Sequence, residues 1–314
     1  MTARLFSDPP LRRALAGKAF RVDAIACRTA ANILRNKLSD QIKNPKRRVL
    51  TAFELTFRIA LTAISHKINW DFLSERLRHN LDTQSNIAEL LRTITTAQVE
   101  NWLSGYHSPD RVRAKERGAF LRNVGQVIVD EFDGNSLNIL NLSQRDLRGP
   151  SGFLAQLDRF SAYNQDPLRK KSNVLVHDLV REGLVHFKDE NEIQPAIDYH
   201  LMRLYLRTGR VVPIHADTHA LLSEVSEPQP RLVRLLREAV AEALCLTALY
   251  AQFSVPLLNF VEWRIGRERC HENNPVCVGA ASDNEHACAN YEYCPARTDP
   301  NWMLKEPVSK KAFY

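Results

Sequence analysis

The sequence predicts an all-α protein, and three observations carry that expectation. Apolar residues recur at helical spacing, as where Phe53, Phe57, Leu61, Ile64 and Ile68 step by four, four, three and four. Alternating runs are scarce, and VVPI at 211–214 is the one tempting strand. With 314 residues, 44% hydrophobic and 25% charged, the chain is long enough for one large or two ordinary domains, and it is neither a disordered polyelectrolyte nor a fibrous repeat. No apolar run approaches the roughly 20 residues of a membrane span.

The elements follow in order. The opening MTARLFSDPPLRRAL carries Pro and charge where an export signal carries an apolar stretch, so a cytoplasmic, nucleoid-associated protein is expected. Of the net +7, residues 1–50 hold +9, from twelve Lys and Arg against three Asp. That basic segment ends in Lys46, Arg47 and Arg48, which read either as phosphate contacts or as a solvated helix and loop. A helix over 57–74 follows, then helical stretches at about 85–104, 109–131, 150–162, 168–183, 198–208 and 230–266, the last kinked at Pro256. The tail after Cys294 reads as loosely ordered, and His215 and His219, four apart, as loop residues.

The six cysteines are uneven. Cys27 and Cys245 stand alone and read as buried structural thiols, while Cys270, Cys277, Cys288 and Cys294 are separated by six, ten and five residues. A structural zinc site usually brings ligands in close pairs, and none exists here. The gaps suit a loop around a larger object such as a [4Fe–4S] cube, with zinc and unligated thiols as the alternatives.

The segment FVEWRIGRERCHENNPVC resembles the approach to the cluster loop of the helix-hairpin-helix glycosylases endonuclease III and MutY, through Gly266-Arg267 ahead of Cys270. The first and last cysteine gaps also match; the middle one, VGAASDNEHA, is longer. A second stretch, AIDYHLMRLYLRTGRV, resembles the family motif in which an Asp opens a helix, placing Asp198 on the catalytic aspartate and His200, Arg203, Arg207 and Gly209 on its companions. Upstream, DPLRKKSNVLV places Lys170 on the family's nucleophilic lysine, in a form similar to the archaeal 8-oxoguanine glycosylases. The hairpin glycines are replaced by Asp166 and Leu168, so the close backbone approach to a DNA phosphate is in question. His66, Lys67 and Asn69 fall near the family's base-contacting helix end, where a partly exposed structural His is the competing reading; Trp70 and Phe72 read as base-stacking or core. Arg111, Arg113 and Lys115 resemble a helix start near the hairpin or are solvated charge.

The resemblance implies an all-α fold of two helical subdomains flanking a cleft. A basic segment (1–49) packs with the second subdomain (186–269), a helical barrel (50–185) carries the hairpin and Lys170, and a cluster loop (270–294) precedes the tail (295–314). It implies a monomeric DNA glycosylase with β-lyase activity, Asp198 stabilising an oxocarbenium-like sugar and Lys170 forming a Schiff base, helped by Arg169 and Lys171, which equally read as phosphate contacts. Arg267 is a further nucleic-acid contact. The alternatives are an N-glycosidase for a modified nucleoside or nucleotide, and a non-catalytic DNA-binding or damage-sensing module.

Overall fold

The computed structural model of the chain describes residues 19–38, 46–84, 86–224, 228–278 and 288–307. Among these it is all-α, with thirteen α-helices and one two-stranded sheet. The chain divides into two compact units, the described residues of Met1–Asn44 with Gln194–Lys311 and those of Pro45–Ile193. No single described helix is long and apolar enough to cross a membrane.

The unit of Pro45–Ile193 holds α2 (Ala52–Ile64), α3 (Trp70–Leu81), α4 (Ile87–Thr93), α5 (Thr96–Trp102), α6 (Ala114–Glu131), α7 (Leu137–Ser143), α8 (Phe153–Leu157) and α9 (Lys170–Arg181). The predicted stripe is real for α2, which buries Phe57, Leu61 and Ile64. The single helix expected over 57–74 is instead two: α2 stops at Ser65, Lys67 takes a left-handed backbone, and the Asn69 side chain accepts from the Asp71 and Phe72 amides to start α3. The expected helix at 85–104 also divides, because Thr95 and Gln98 form a reciprocal capping box that begins α5. Helix α6 packs on α4 and α5. Gly125 makes the α4 contact close, since a Cβ there would lie 2.2 Å from the Arg92 backbone nitrogen. Tyr163, fully buried, donates to the Ile59 carbonyl at 2.8 Å and ties the segment before α9 to α2.

The other unit holds β1 (Phe20–Val22), α1 (Ala24–Leu38), α10 (Tyr199–Arg207), β2 (Val211–Pro213), α11 (Ala216–Ser223), α12 (Pro230–Ala251) and α13 (Val255–Glu268). VVP pairs antiparallel with β1, with Phe20 opposite Pro213 and Val22 opposite Val211. Helix α1, capped by Asp23, lays Cys27, Ala30, Ala31 and Leu34 on α12. Small side chains on both helices, Ala239 and Ala243 on α12 included, allow close approach. The 230–266 stretch breaks at Gln252, which is left-handed, and α13 restarts with Pro256 in its first turn; the axes differ by 112°. His219, read with His215 as a loop residue, lies in α11, for which His215 is the N-cap, with His219 Nε2 2.9 Å from the Asn301 carbonyl oxygen. The tail expectation also fails as far as residue 307. Leu304 is buried, its carbonyl accepts from Arg207 Nε at 3.0 Å, and Glu306 pairs with Arg203.

Candidate functional site

Three helix ends meet in the unit of Pro45–Ile193. Lys170 opens α9 after Arg169, whose backbone is left-handed (φ 51°). Asp166, buried, supplies the missing cap: its carboxylate accepts from the Leu168 amide at 3.0 Å and the Lys170 amide at 2.9 Å. Asp166 therefore fills, with the chain's own carboxylate, amides that would otherwise face an anion. Arg169 is bound to Asp158 by two hydrogen bonds, at 2.6 and 2.8 Å. Lys170 is half-buried.

Lys171 turns inward. It is 3% exposed, its Nζ donates to the Ala63 carbonyl of α2 at 2.6 Å, and it lies 4.7 Å from the centre of the Phe120 ring. Burial and then the Lys170 charge bring its pKa down to about 7. An amine that sheds its proton near neutrality is what Schiff-base chemistry needs, but this one is enclosed. Beside it, His66 is buried with Nε2 3.3 Å from Glu116 Oε2. Burial, then Arg117, Lys171, Arg113 and Lys170, drive its pKa down to about 2, so the ring is neutral. Arg117, fully buried, donates to the His66 carbonyl at 2.6 Å and to the Val112 and Arg111 carbonyls at 2.6 and 3.0 Å.

In the other unit Asp198 is buried as the N-cap of α10. Oδ1 accepts from the Leu201 amide and Oδ2 from Trp263 Nε1, each at 3.1 Å. Both carboxylate oxygens are thus held by donors, which fixes the side chain in one orientation. Phe260 and Trp263 stack along α13, Arg267 lies 5.1 Å from the Trp263 ring centre, and Tyr199 packs on His200. Gly266 is where α13 meets α10, since a Cβ there would come 2.8 Å from the His200 carbonyl oxygen.

Arg203 and Arg207, on one side of α10, both reach the first cysteine. Arg203 Nε donates to the Cys270 carbonyl at 2.7 Å. Arg207 donates to the His271 and Glu272 carbonyls at 2.6 Å, with Nη1 3.6 Å from Cys270 Sγ. All six cysteines are free thiols. Cys270, Cys277, Cys288 and Cys294 lie within electrostatic range of one another, every pair included. Burial pushes Cys288 up to about 11 and Cys294 up to about 12. Among the described residues no three His, Cys, Asp or Glu side chains close on a single ion. Residues 279–287 of the long middle gap lie outside the described residues, as do 1–18 and 39–45 of the basic arm. Cys27 is buried as expected, with Sγ on the Ala243 carbonyl, whereas Cys245 is half-buried; enclosure of its thiol pushes its pKa up to about 12.

The other expected contacts are scattered. Arg47 is exposed, and Arg48 pairs with Glu182 at 3.1 Å. Trp70 and Phe72 pack against the apolar core. Sequence reasoning missed Trp263, Glu116 and Arg117, whose roles depend on partners 65, 50 and 51 residues away.

No family model matches the chain, and no curated protein matches it. Solved structures do. An endonuclease III–DNA covalent intermediate, trapped as an estranged-adenine complex, has a TM-score of 0.50 over 88% of this chain and 97% of its own, at 13% identity. A non-covalent endonuclease III–DNA complex gives the same values. At that identity the likeness is one of architecture alone: the all-α fold of this chain is similar to that of endonuclease III.

Proposed function

We propose that the chain is a DNA glycosylase with lyase activity. The observation that carries this reading is Asp198, a buried carboxylate fixed through both oxygens at the start of a helix, in a chain whose α9 opens on two lysines. Asp198 would stabilise positive charge developing on the sugar. The amine of Lys170 would attack C1′ as the C1′–N bond breaks, the departing base taking the electron pair and a proton. The C1′–O4′ bond then opens, O4′ taking the electron pair and the remaining amine proton, which leaves a C1′=N imine to Lys170. The duplex binding this requires is supported by the fold shared with the DNA-bound structures.

Cys270, Cys277, Cys288 and Cys294 would hold a [4Fe–4S] cluster. Four cysteines on one loop would supply the thiolates that such a cluster takes, and Arg207 beside Cys270 offers a cation to offset thiolate charge. Such a cluster would anchor the loop after α13.

Borohydride reduction on abasic-site DNA tests the lysine. A covalent adduct is expected with the wild type and none with Lys170→Ala; an adduct that persists moves the nucleophile elsewhere. Iron analysis and visible absorbance test the cluster, and a colourless zinc-bound protein would replace it. The capping of the α9 amides by Asp166 favours a second reading, an N-glycosidase for a modified nucleotide, which strong salt-dependent duplex binding would remove.

A further inference from the structure

Cations gather on the unit of Pro45–Ile193 where the end of α2 meets the start of α6. The buried Arg117 guanidinium takes carbonyls from both connecting segments, His66 from one and Arg111 and Val112 from the other, all within 3.0 Å. That clamp sets Lys67, Arg111 and Arg113 beside one another. Arg111 and Arg113 are exposed and Lys67 is half-buried. Lys67 and Arg113 hold left-handed backbones (φ 53° and 46°), an arrangement costly for residues other than glycine. The amino end of the 18-residue α6 has no side-chain cap and adds the positive pole of its dipole. Glu116 is shared between Arg113 at 3.2 Å and His66 at 3.3 Å, and a second acid, the exposed Asp110, directly precedes Arg111.

We propose that Lys67, Arg111 and Arg113 form a phosphate-binding site, clamped into shape by Arg117. The site deepens the glycosylase reading, on which it rests for the expectation that the phosphate belongs to DNA. It also answers a difficulty in that reading, because Asp166 occupies the α9 amides and a duplex needs another grip. The electrostatics agree. Partial burial and then Arg113 and Arg111 hold the Lys67 pKa below its ordinary value, and His66 stays neutral in the same surroundings. An incoming anion relieves this like-charge crowding.

The test uses the full chain, a fluorescent duplex with an abasic-site analogue, and inorganic pyrophosphate. The triple variant Lys67→Asn, Arg111→Gln, Arg113→Asn removes the charges while Asn tolerates both left-handed positions. A control variant, Arg21→Gln, Arg231→Gln, Arg234→Gln, removes three exposed cations of the other unit. Losing one or two phosphate contacts lowers the slope of log affinity against log salt by about 1–2 and weakens binding at least about tenfold. The control keeps the wild-type slope, and pyrophosphate competes with the duplex on the wild type. A triple variant with the wild-type slope overturns the site while leaving borohydride trapping, and so the glycosylase reading, intact. A control that loses as much slope also overturns it, as general attraction. If the wild type binds no duplex but pyrophosphate raises its melting temperature and not the triple variant's, the site stands and the DNA reading falls. If neither probe binds, the site falls.

Discussion

Two sets of buried cations sit in this chain, and they are treated in opposite ways. On the unit that carries Asp198, Arg203, Arg207 and Arg210 are each buried among acceptors: Glu306, the Cys270, His271, Glu272 and Leu304 carbonyls, and Glu262. On the unit that carries Lys170, Lys171 and Arg117 are buried with backbone carbonyls but little negative charge, and their pKa values fall to about 7 and about 10. The first set staples a fold. The second crowds like charges together, an arrangement that costs stability and is characteristic of sites where charge must change or an anion must land.

The largest way to break the first set is Glu262→Gln. Glu262 and Arg210 are both fully enclosed, Tyr205 donates its hydroxyl to the same carboxylate, and the Arg210 guanidinium lies 3.7 Å from the Tyr205 ring centre. Removing one partner leaves the other charge buried, so a loss of about 3–5 kcal/mol is expected in urea unfolding.

The second set predicts the opposite sign. Lys171→Met should stabilise the protein at pH 7 by about 3 kcal/mol, the desolvation penalty less the hydrogen bond to Ala63. With the folded pKa at about 7 and the unfolded value at 10.5, the unfolded chain binds the extra proton in between. Wild-type stability therefore rises with pH across that window, and the advantage of the variant shrinks to nothing by about pH 10. Urea midpoints at pH 7 and pH 10 check both points, and a variant equally destabilised at each would put Lys171 with the staples.

These contrasts show what the residue order could and could not disclose. Asp198 was readable as a cap because an Asp before an amphipathic stripe has one strong local use, and it makes that bond to Leu201. The break near Pro256 and the short VVP strand were readable for the same local reason. The split at His66 was not, because the apolar stripe continues to Ile68 while Asn69 restarts the helix. Adjacent lysines look solvated in any sequence; only the packing of α2 and Phe120 on α9 buries one of them. The ordered tail depends on Arg203 and Arg207, about 100 residues earlier, and no periodicity reports such partners.

His66 sharpens the comparison from the acid side. Its folded pKa is about 2, so below pH 6.5 the unfolded chain takes a proton that the folded chain refuses. The stability it allows is complete above pH 6.5 and is lost as pH falls, by about 2 kcal/mol at pH 5. His66→Gln should cut the drop in urea-unfolding stability between pH 7 and pH 5 by that amount.

The smallest expected effect is at Asp166, and it asks which set this carboxylate belongs to. As a cap it bonds the Leu168 and Lys170 amides, and Asp166→Ala should cost about 1 kcal/mol, as for other lost N-caps. Asp166→Gly costs no more than that if capping is its whole role, and it uncovers the α9 amides. If those amides then join the cations of this unit in holding phosphate, duplex affinity rises with Asp166→Gly but falls in the Lys67, Arg111, Arg113 variant. Unchanged affinity with Asp166→Gly would leave its carboxylate a plain helix cap, and the crowded cations the sole phosphate grip on this unit.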